Sequence, residues 1–409
     1  MSMHTLMFGW EYPPHHLGGL GVACQGIVEG LISNGVRVTL VLPHAHSGGK
    51  GALNIVSPTS SELSEIRVCS LLSPYQTADQ YNSQIKTIDE SLAHIYGHNM
   101  GEAIEKFTEM SVEMTKDTNP DVVHCHDWMT YEAGRRAARY HRKPLVAHIH
   151  ATELDRTNFQ PNEFIYACEK RGFEAADKII AVSHYTKSIL QKYYGISGDK
   201  IAVLHNGSSE QHPHIDHITS QYFQNKQHPL ILFLGRLVLQ KGAVQFLEMA
   251  ERVHAQRPDV QFVMAGDGPM LPELVDRAID MGLQDSVVFA GKVSREETRK
   301  LYAKADCFVM SSLSEPFGLV ALEAIAQGTP VVLSKQSGAA EVVSDCFSVD
   351  FWDTDKMADC VLTILREEPL ALQLISQAPR TLQRLTWQNQ AGNLRSMYHD
   401  VITSSLAKS

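Results

Sequence analysis

Residues 314–324 read Ser-Glu-Pro-Phe-Gly-Leu-Val-Ala-Leu-Glu-Ala, a Pro-Phe-Gly turn that leads into an apolar helix and carries two carboxylates eight positions apart. If the helix begins near Leu319, its first-turn amides have no partner within the helix and attract phosphate. Eight helical residues rise about 12 Å, so Glu315 and Glu323 would reach a hexose and a ribose on either side of a diphosphate. The segment therefore predicts a nucleotide-sugar site.

Two cations follow the apolar run of residues 230–234, with Arg236 close to its end and Lys241 five residues further on. Positioned Arg and Lys side chains neutralise a departing diphosphate without proton transfer, so no metal is required. Each cation also has a structural interpretation, as a strand-end ion pair or a solvated charge. Likewise, Glu315 alone fits a solvated loop residue and Glu323 a polar helix position. The combination of the four residues favours a binding site.

Several motifs together resemble family 4 retaining glycosyltransferases, and the resemblance covers nearly the whole chain. The motifs are Gly235-Arg236-Leu237-x3-Lys241-Gly242, Ala265-Gly266-Asp267-Gly268-Pro269, the Glu-x7-Glu pair, Gly18-Gly19-Leu20-Gly21, His124-Cys125-His126-Asp127-Trp128 and Asn206-Gly207. They are closest to the motifs of glycogen and starch synthase-like members. The resemblance implies an α/β protein with the GT-B fold, in which two doubly wound parallel-sheet, Rossmann-like domains enclose a cleft.

The resemblance also implies the roles of individual residues. The implied catalytic residues are Glu315, Arg236, Lys241 and His150. The implied donor-binding residues are Gly18, Gly19, Gly235, Gly266, Val293, Phe317, Gly318, Leu319, Val320 and Glu323. The acceptor side would be formed by His126, Asp127 and Glu153. The implied reaction is retaining transfer of a hexose, with glucose favoured, from a nucleotide-sugar to a hydroxyl group.

Two features distinguish the chain from dedicated glycogen synthases. His16 stands where those enzymes commonly have Lys, and Ser337-Gly338-Ala339 stands where they often have a Gly-Gly pair. Both differences, together with the modest length of the chain, fit family 4 better than the dedicated glycogen synthases of family 5. The favoured acceptor is an α-glucan; the alternatives are another sugar, polysaccharide or lipid acceptor, or a non-catalytic glucan-binding protein. The donor nucleotide, UDP, ADP or GDP, stays open.

The chain of 409 residues suits two domains of about 200 residues each. Short apolar runs alternate with helical patterns, which predicts parallel sheets. The runs predicted as strands are residues 5–8, 38–42, 121–124, 145–148, 178–182, 200–204, 230–234, 261–265, 287–290, 307–310 and 330–333. The predicted parts are an acceptor-side domain at 1–206, a polar linker at 207–228, a nucleotide-sugar domain at 229–386 and a last segment at 387–409, whose helix would by resemblance cross back to the first domain.

A dehydrogenase-type dinucleotide site is excluded by the residues after the first two predicted strands. Such a site needs Gly-x-Gly-x-x-Gly directly after the first strand and an acid after the second. Here the segment Trp-Glu-Tyr-Pro-Pro-His-His at residues 10–16 separates the first strand from the glycines, and Pro43-His44 ends the second. A hydrolysing epimerase and a phosphorylase remain alternatives that share the implied fold.

The histidines at residues 148 and 150 follow or end a predicted strand. We predict that only one of His148 and His150 faces the cleft, and we favour His150 because the carboxyl end of a strand opens onto the cleft.

Two histidine groups are candidates for metal binding. His124 and His126, with the neighbouring aspartate, form one group, and His212, His214 and His217 in the linker form the other. Neighbouring residues at one strand end rarely converge as zinc ligands. We therefore predict no metal site and no cofactor besides the nucleotide-sugar substrate.

Composition restricts the location and the partners. Seven scattered cysteines without a CxxC pair indicate reduced thiols in the cytoplasm. A formal charge of −10 argues against nucleic-acid binding. No signal segment or long apolar run is present, so membrane association is not expected, and the cationic stretch at residues 135–143 is interpreted as a solvated helix face. The expected partners are a nucleotide-sugar and a carbohydrate acceptor; oligomeric state is not predicted.

Overall fold

Two β-sheets organise the protein, as seen in a computed structural model that describes residues 2–12, 19–44, 55–58, 62–70, 78–86, 98–208 and 228–407. The strands within these ranges are β1 His4–Phe8, β2 Arg37–His44, β3 Ile55–Pro58, β4 Leu63–Cys69, β5 Val122–His126, β6 Leu145–Ile149, β7 Lys178–Ala181, β8 Ile201–Val203, β9 Leu230–Leu234, β10 Gln261–Ala265, β11 Val287–Gly291, β12 Cys307–Met310, β13 Val331–Ser334 and β14 Phe347–Val349.

Helices cover both sheets, so that the central strands are buried on both faces and read as continuous apolar runs. The α-helices within the described ranges are α1 Gly19–Ser33, α2 Ala78–Ile85, α3 Met100–Thr115, α4 Trp128–His141, α5 Glu153–Arg156, α6 Glu163–Ala175, α7 His184–Tyr194, α8 Ala243–Gln256, α9 Leu271–Asp280, α10 Arg295–Lys304, α11 Leu319–Ala326, α12 Thr354–Arg366, α13 Glu368–Ser376, α14 Ala378–Arg384 and α15 Trp387–Leu406.

The strand order places the functional loops. Among the described residues, the first sheet has the order β3-β4-β2-β1-β5-β6-β7-β8 and the second the order β11-β10-β9-β12-β13-β14. Neighbouring strands are parallel except β3, which pairs antiparallel with β4. The direction of winding reverses between β1 and β5 and between β9 and β12, and ligands of such sheets bind beyond the carboxyl ends of strands at this reversal. The loops after these four strands are therefore the expected site.

The predicted α/β class with two parallel sheets is confirmed, and the strands at residues 230–234, 261–265 and 307–310 have the predicted bounds. The sequence analysis missed β3, β4 and β14. In β4, apolar residues alternate with charged ones, and Arg67 pairs with Glu65 at 3.0 Å on the polar face. The predicted strands rest on continuous apolar runs, and the alternation in β4, which is typical of a strand with one polar face, contains no such run.

The chain crosses between the two halves at two adjacent points. The Ser208 amide donates to the Leu385 carbonyl at 2.7 Å, and a Cβ on Gly207 would lie 2.6 Å from the Trp387 amide nitrogen. The outgoing and the returning segments therefore run side by side. The predicted linker at 207–228 falls mostly on residues 209–227, which lie outside the described residues.

The last helix, α15, packs closely against α1 of the first sheet. A Cβ on Gly26 would lie only 2.2 Å from a Trp387 ring carbon, and one on Gly30 would lie 2.7 Å from both the Ala391 Cβ and the Trp387 carbonyl. These two glycines of α1 provide the groove that the C-terminal helix fills. The end of the chain thereby ties the second half to the first.

Replacing Gly26 with alanine should loosen this contact. The added methyl group would overlap the Trp387 ring, so we expect Gly26→Ala to lower the free energy of unfolding by about 1–3 kcal/mol, measured by urea denaturation. Gly392→Ala is the matched control, because its Cβ would meet only Asn34 Oδ1 at 3.4 Å. A helix-interior Gly→Ala change without a clash should raise stability by roughly 0.5–1 kcal/mol. Equal effects of the two changes would contradict the packing argument.

Candidate active site

The first turns of two helices meet at the cleft. Helix α11 begins at Leu319, and Gly318 precedes it with a φ of 99°. Gly19 begins α1, and a Cβ on Gly19 would lie 3.7 Å from Leu319 Cδ1. Leu319 packs against the cores of both halves. Two helix N-termini from different halves thus face one region, and their first-turn amides favour an anion there. Gly18 lies outside the described residues.

A buried acid limits the number of donors that α1 can offer. Glu11 is 2% exposed, and its Oε2 accepts a hydrogen bond from the Gly21 amide at 3.0 Å. This carboxylate takes one first-turn donor of α1 and leaves the amides nearer Gly19 as the ones that could meet a ligand. We did not single out Glu11 from the sequence; its position three residues after a buried strand was the available signal.

Glu315 is a buried, fixed carboxylate rather than a solvated loop residue. It is 7% exposed, and its Oε2 accepts from Lys241 Nζ at 2.5 Å and from Ser312 Oγ at 3.2 Å. Its backbone pairs with the segment after β13: the Glu315 amide donates to the Gln336 carbonyl at 2.8 Å, and the Gly338 amide donates to the Glu315 carbonyl at 3.1 Å. The structure therefore brings the predicted acid and the predicted cation together as an ion pair.

Gly338 allows the turn after Glu315 to approach the segment after β13. A Cβ at this position would lie 2.4 Å from the Pro316 carbonyl oxygen and 2.6 Å from Ser183 Cβ in the first half. The Ala339 amide donates to the Phe317 carbonyl at 2.6 Å. This second contact anchors the Pro-Phe-Gly turn directly before α11. Any side chain at position 338 would displace the turn.

Glu323 lies in α11, four residues after its start at Leu319. The rise between the two is about 6 Å. Our expectation of a 12 Å helical rise between the two acids is wrong, because residues 315–318 form a turn and only residues 319–323 of the interval are helical. The predicted start of the helix at Leu319 is confirmed.

Arg236 is aimed into the cleft by a tight approach of two loops. Gly266 has a φ of 138°, and a Cβ there would lie 1.9 Å from the Gly235 carbonyl oxygen. The Gly235 amide donates to the Ala265 carbonyl at 3.0 Å, beside this contact. Arg236 is exposed and lines the cleft cavity. Val293, predicted to lie near the base, follows β11 and is partly buried against the core of the second half.

A cavity of about 760 Å³ occupies the cleft beside these loops. Asp127 and Glu153, two of the predicted acceptor-side residues, line it together with Arg236. Its remaining lining residues include the aromatic side chains Trp10, Trp128 and Phe164. Glu315 and His126 are not among the lining residues. The cavity therefore lies between residues of both halves, beside two of the residues predicted for the acceptor side, and the first turn of α1 borders it at Leu20.

Glu153 belongs to an ion-pair network on the wall of this cavity. Its Oε2 accepts from Arg156 Nε at 3.3 Å, and Arg156 also donates to Glu169 Oε1 at 2.8 Å. The Glu153 amide donates to Glu169 at 2.8 Å. Burial raises the pKa of Glu169 to about 7, although Arg156 and the hydrogen bonds oppose this shift. We did not predict Glu169. It lies on α6, and only the folding of the chain brings it to Glu153 and Arg156 at the wall of the cavity.

Four histidines form one stack across β5 and β6. The ring centroids are 4.5 Å apart for His124 and His126 and 4.3 Å apart for His148 and His150. Residues two apart on a strand project from the same face, so His148 stacks beside His150, but His148 is fully buried. His150 is the partly exposed member at the cleft; its amide donates to Asp127 Oδ1, and its Nε2 lies 2.8 Å from His126 Nδ1.

Three histidines of this stack form a candidate metal-binding group. Ring nitrogens of His124, His126 and His148 lie within 4.8 Å of one another, so histidines from neighbouring strands do converge, contrary to our expectation. The ring planes, however, differ by only 17–30°, and the lone pairs of nearly parallel rings do not meet at one tetrahedral centre. Burial lowers the pKa of all three imidazoles and keeps them neutral. The linker histidines lie outside the described residues.

Comparison with known proteins identifies the family. The model for group 1 glycosyl transferases matches residues 215–381, and the model for glycosyltransferase family 4 matches residues 93–211. An uncharacterized glycosyltransferase of Methanocaldococcus jannaschii is 29% identical over 97% of this chain and 98% of its own length. A glycogen synthase of Mycobacterium tuberculosis is 29% identical over 97% of this chain and 94% of its own length.

Solved structures support the fold. Sucrose-phosphate synthase from Thermosynechococcus elongatus is 21% identical and superimposes with a TM-score of 0.74 over 98% of this chain and 100% of its own. The fold is therefore GT-B, as predicted, and the chain belongs to the group 1, family 4 glycosyltransferases. It is accordingly an enzyme that transfers glycosyl groups. Within the described residues, no helix combines the length and the apolar character needed to cross a membrane.

Removing the cation from the ion pair should destabilise the protein. Lys241→Met leaves the Glu315 carboxylate buried beside an apolar side chain, and we expect the free energy of unfolding to fall by about 1–3 kcal/mol. Lys335→Met is the control, because Lys335 and Asp350 form a 2.8 Å pair in which Lys335 is 53% exposed. Such a pair contributes roughly 0–1 kcal/mol. Equal losses in the free energy of unfolding for the two variants, measured by urea denaturation, would show that burial of the Glu315 carboxylate does not strengthen its ion pair.

Proposed function

We propose that the protein is a retaining glycosyltransferase that moves a hexose, most simply glucose, from a nucleotide-sugar to a hydroxyl group of an α-glucan. The observation that carries this proposal is the Lys241–Glu315 ion pair, with its buried carboxylate, next to two facing helix N-termini. A diphosphate matches the amides of two helix N-termini and the nearby cations. A carboxylate at the end of that site matches the hydroxyl groups of a sugar.

The donor would lie along the second sheet. Its phosphates would meet the first-turn amides from Phe317 to Val320 and the amides near Gly19, which supports a diphosphate across the cleft. Glu323, one turn along α11, would bind the ribose, and the backbone near Val293 would bind the base. Glu315 would accept hydrogen bonds from the sugar while Lys241 keeps its charge compensated.

The chemistry rests on position and charge. As the bond from the sugar to the diphosphate breaks, negative charge grows on the phosphate, and Arg236 and Lys241 stabilise it together with the helix amides. The acceptor hydroxyl would approach the same face of the sugar and pass its proton to the departing phosphate, so the configuration is retained without a protein nucleophile. His150, neutral because burial lowers its pKa, would hydrogen-bond the hexose. No cofactor takes part in this scheme.

The cavity supports a carbohydrate acceptor. Trp10, Trp128 and Phe164 provide apolar ring faces, and the rings of Trp128 and Phe164 pack edge to face with centroids 6.4 Å apart. Pyranose rings present C–H faces that pack on aromatic rings, while Asp127 and Glu153 would take their hydroxyl groups. The similarity to a glycogen synthase favours a glucan. A different sugar, polysaccharide or lipid acceptor is the second candidate.

The deciding experiment separates donor from acceptor. Purified protein is incubated with UDP-, ADP- and GDP-sugars, each with and without a maltooligosaccharide, and both released nucleotide and chain length are measured. We expect elongation with UDP-glucose or ADP-glucose. Donor turnover without elongation would move the acceptor to another class, and pyridoxal phosphate absorbance with phosphate-dependent shortening of the oligosaccharide would identify a phosphorylase.

Glu315 should be required for transfer. We expect Glu315→Gln, which keeps the size of the side chain but removes its charge, to lower kcat by at least about 100-fold, with the secondary structure unchanged in circular dichroism. The control is Glu296→Gln, since Glu296 is 78% exposed and pairs with Lys300 on α10. A Glu315→Gln enzyme that retains most of its activity would refute the proposed role.

A further inference from the structure

The two halves of the protein are joined beside the site by a carboxylate of the second half. Glu341 accepts hydrogen bonds from the amides of His184 and Tyr185 at 2.9 and 2.7 Å and from His205 Nε2 at 3.0 Å. The two amides belong to the first turn of α7, so Glu341 caps a helix of the other half. This contact fixes α7 against the second half.

A second contact of the same helix reaches the loop that carries Glu315. The Tyr185 hydroxyl lies 2.9 Å from Ser314 Oγ, and Ser314 Oγ donates to Asp155 Oδ1 at 2.5 Å. Asp155 and Tyr185 come from the first half, whereas Ser314 directly precedes Glu315 in the second. The Ser314 hydroxyl group is therefore hydrogen-bonded to two side chains of the first half. Ser314 is the residue directly before Glu315, so these bonds reach the loop that carries the Glu315 carboxylate.

Asp155 is a rigid anchor for this contact. Its side chain is fully buried, and its Oδ2 accepts hydrogen bonds from both the Thr152 amide and the Thr152 hydroxyl at 2.8 and 2.7 Å. The bond from the Thr152 amide is one of the two that form the capping box of α5, and both bonds hold the carboxylate so that Oδ1 accepts from Ser314. Its position is set by the first half alone.

The same loop is also hydrogen-bonded to Gln240 of the second half. Gln240 Nε2 donates to the Ser314 carbonyl at 3.0 Å, and the Leu313 amide donates to the Gln240 carbonyl at 2.9 Å. Gln240 immediately precedes Lys241, the partner of Glu315. The loop that carries Glu315 is therefore hydrogen-bonded to both halves. If the halves separate, the loop keeps only its bonds within the second half.

We propose that Asp155 and Tyr185 are positioning residues that hold Glu315 in place through Ser314, so that the carboxylate is set for the sugar only when the two halves are in contact. The inference rests on the proposed function, in which Glu315 binds the transferred sugar. Neither residue touches the donor in this scheme. They act across the cleft on a loop of the nucleotide-sugar half, which couples contact between the halves to the geometry of the reaction.

The kinetic test uses a double-mutant cycle of Tyr185→Phe and Ser314→Ala. Tyr185→Phe removes one hydrogen bond and should lower kcat/KM about 5- to 10-fold. Ser314→Ala removes the bonds to both Tyr185 and the Asp155 carboxylate, and it should lower kcat/KM about 10- to 100-fold. Because Tyr185 acts through Ser314, the double variant should be no slower than Ser314→Ala alone. The affinity for the nucleoside diphosphate, which carries no sugar, should stay unchanged in every variant. Fully additive losses would overturn the proposal.

The matched control is Tyr166→Phe. The Tyr166 hydroxyl donates to the Tyr193 carbonyl at 2.6 Å, within the first half. This change should leave kcat/KM within about twofold and should combine additively with Ser314→Ala. Asp155→Asn should cost more than Tyr185→Phe, about 10- to 100-fold, because a hydrogen bond to a charged group is stronger. A smaller loss for Asp155→Asn would contradict its role as the anchor.

A second measurement does not depend on activity and separates this proposal from the proposed function. Hydrogen exchange of the Leu313 and Glu315 amides, which donate to Gln240 and Gln336, should speed up in Tyr185→Phe and in Asp155→Asn but not in Tyr166→Phe. If the wild-type protein transfers no sugar but exchange responds in this way, the function is wrong and the positioning network stands. Unchanged exchange in both variants would overturn the network whatever the activity.

Discussion

The site depends on the ion pair between Lys241 and Glu315. A carboxylate buried without a partner is costly, because its hydration is lost and nothing replaces it. Lys241 compensates the charge at 2.5 Å, and its own placement needs Gly242, whose φ is 68° and whose Cβ would lie 1.9 Å from the Ser311 carbonyl oxygen. The loops after β9 and β12 therefore touch through backbone where a side chain would not fit. The adjacency of these two strands brings the acid and the cation together.

Contact between the two halves is the second constraint on the site, after the Lys241–Glu315 ion pair. Helices α1 and α11 present their N-termini to the same region only because the halves meet at Leu319. The capping of α7 by Glu341 and the filling of the α1 groove by α15 hold that arrangement from two other directions. The region that we propose binds the diphosphate thus belongs to neither half alone. The cavity of about 760 Å³ next to this region is likewise lined from both halves.

Local patterns were sufficient for much of the fold. Apolar runs bounded by glycine or polar residues located β9, β10 and β12 correctly, since strands covered on both faces need continuous apolar sequence. The start of α11 followed from the Pro-Phe-Gly turn. The same approach missed β4, whose polar face breaks the apolar run. It also misjudged the distance between Glu315 and Glu323, because a turn and a helix advance the chain differently.

The sequence by itself determined the chemistry available: an acid, two cations, glycine turns and a helix start whose types and spacings predict a nucleotide-sugar site. Only the tertiary structure decided which of them meet. Glu315 and Lys241 are 74 residues apart in the chain, and Asp155 and Ser314 are 159 apart. No local pattern encodes such pairs, because strand order and the packing of the two halves set them. The stack of four histidines arises in the same way, since register between β5 and β6 aligns side chains that the sequence separates.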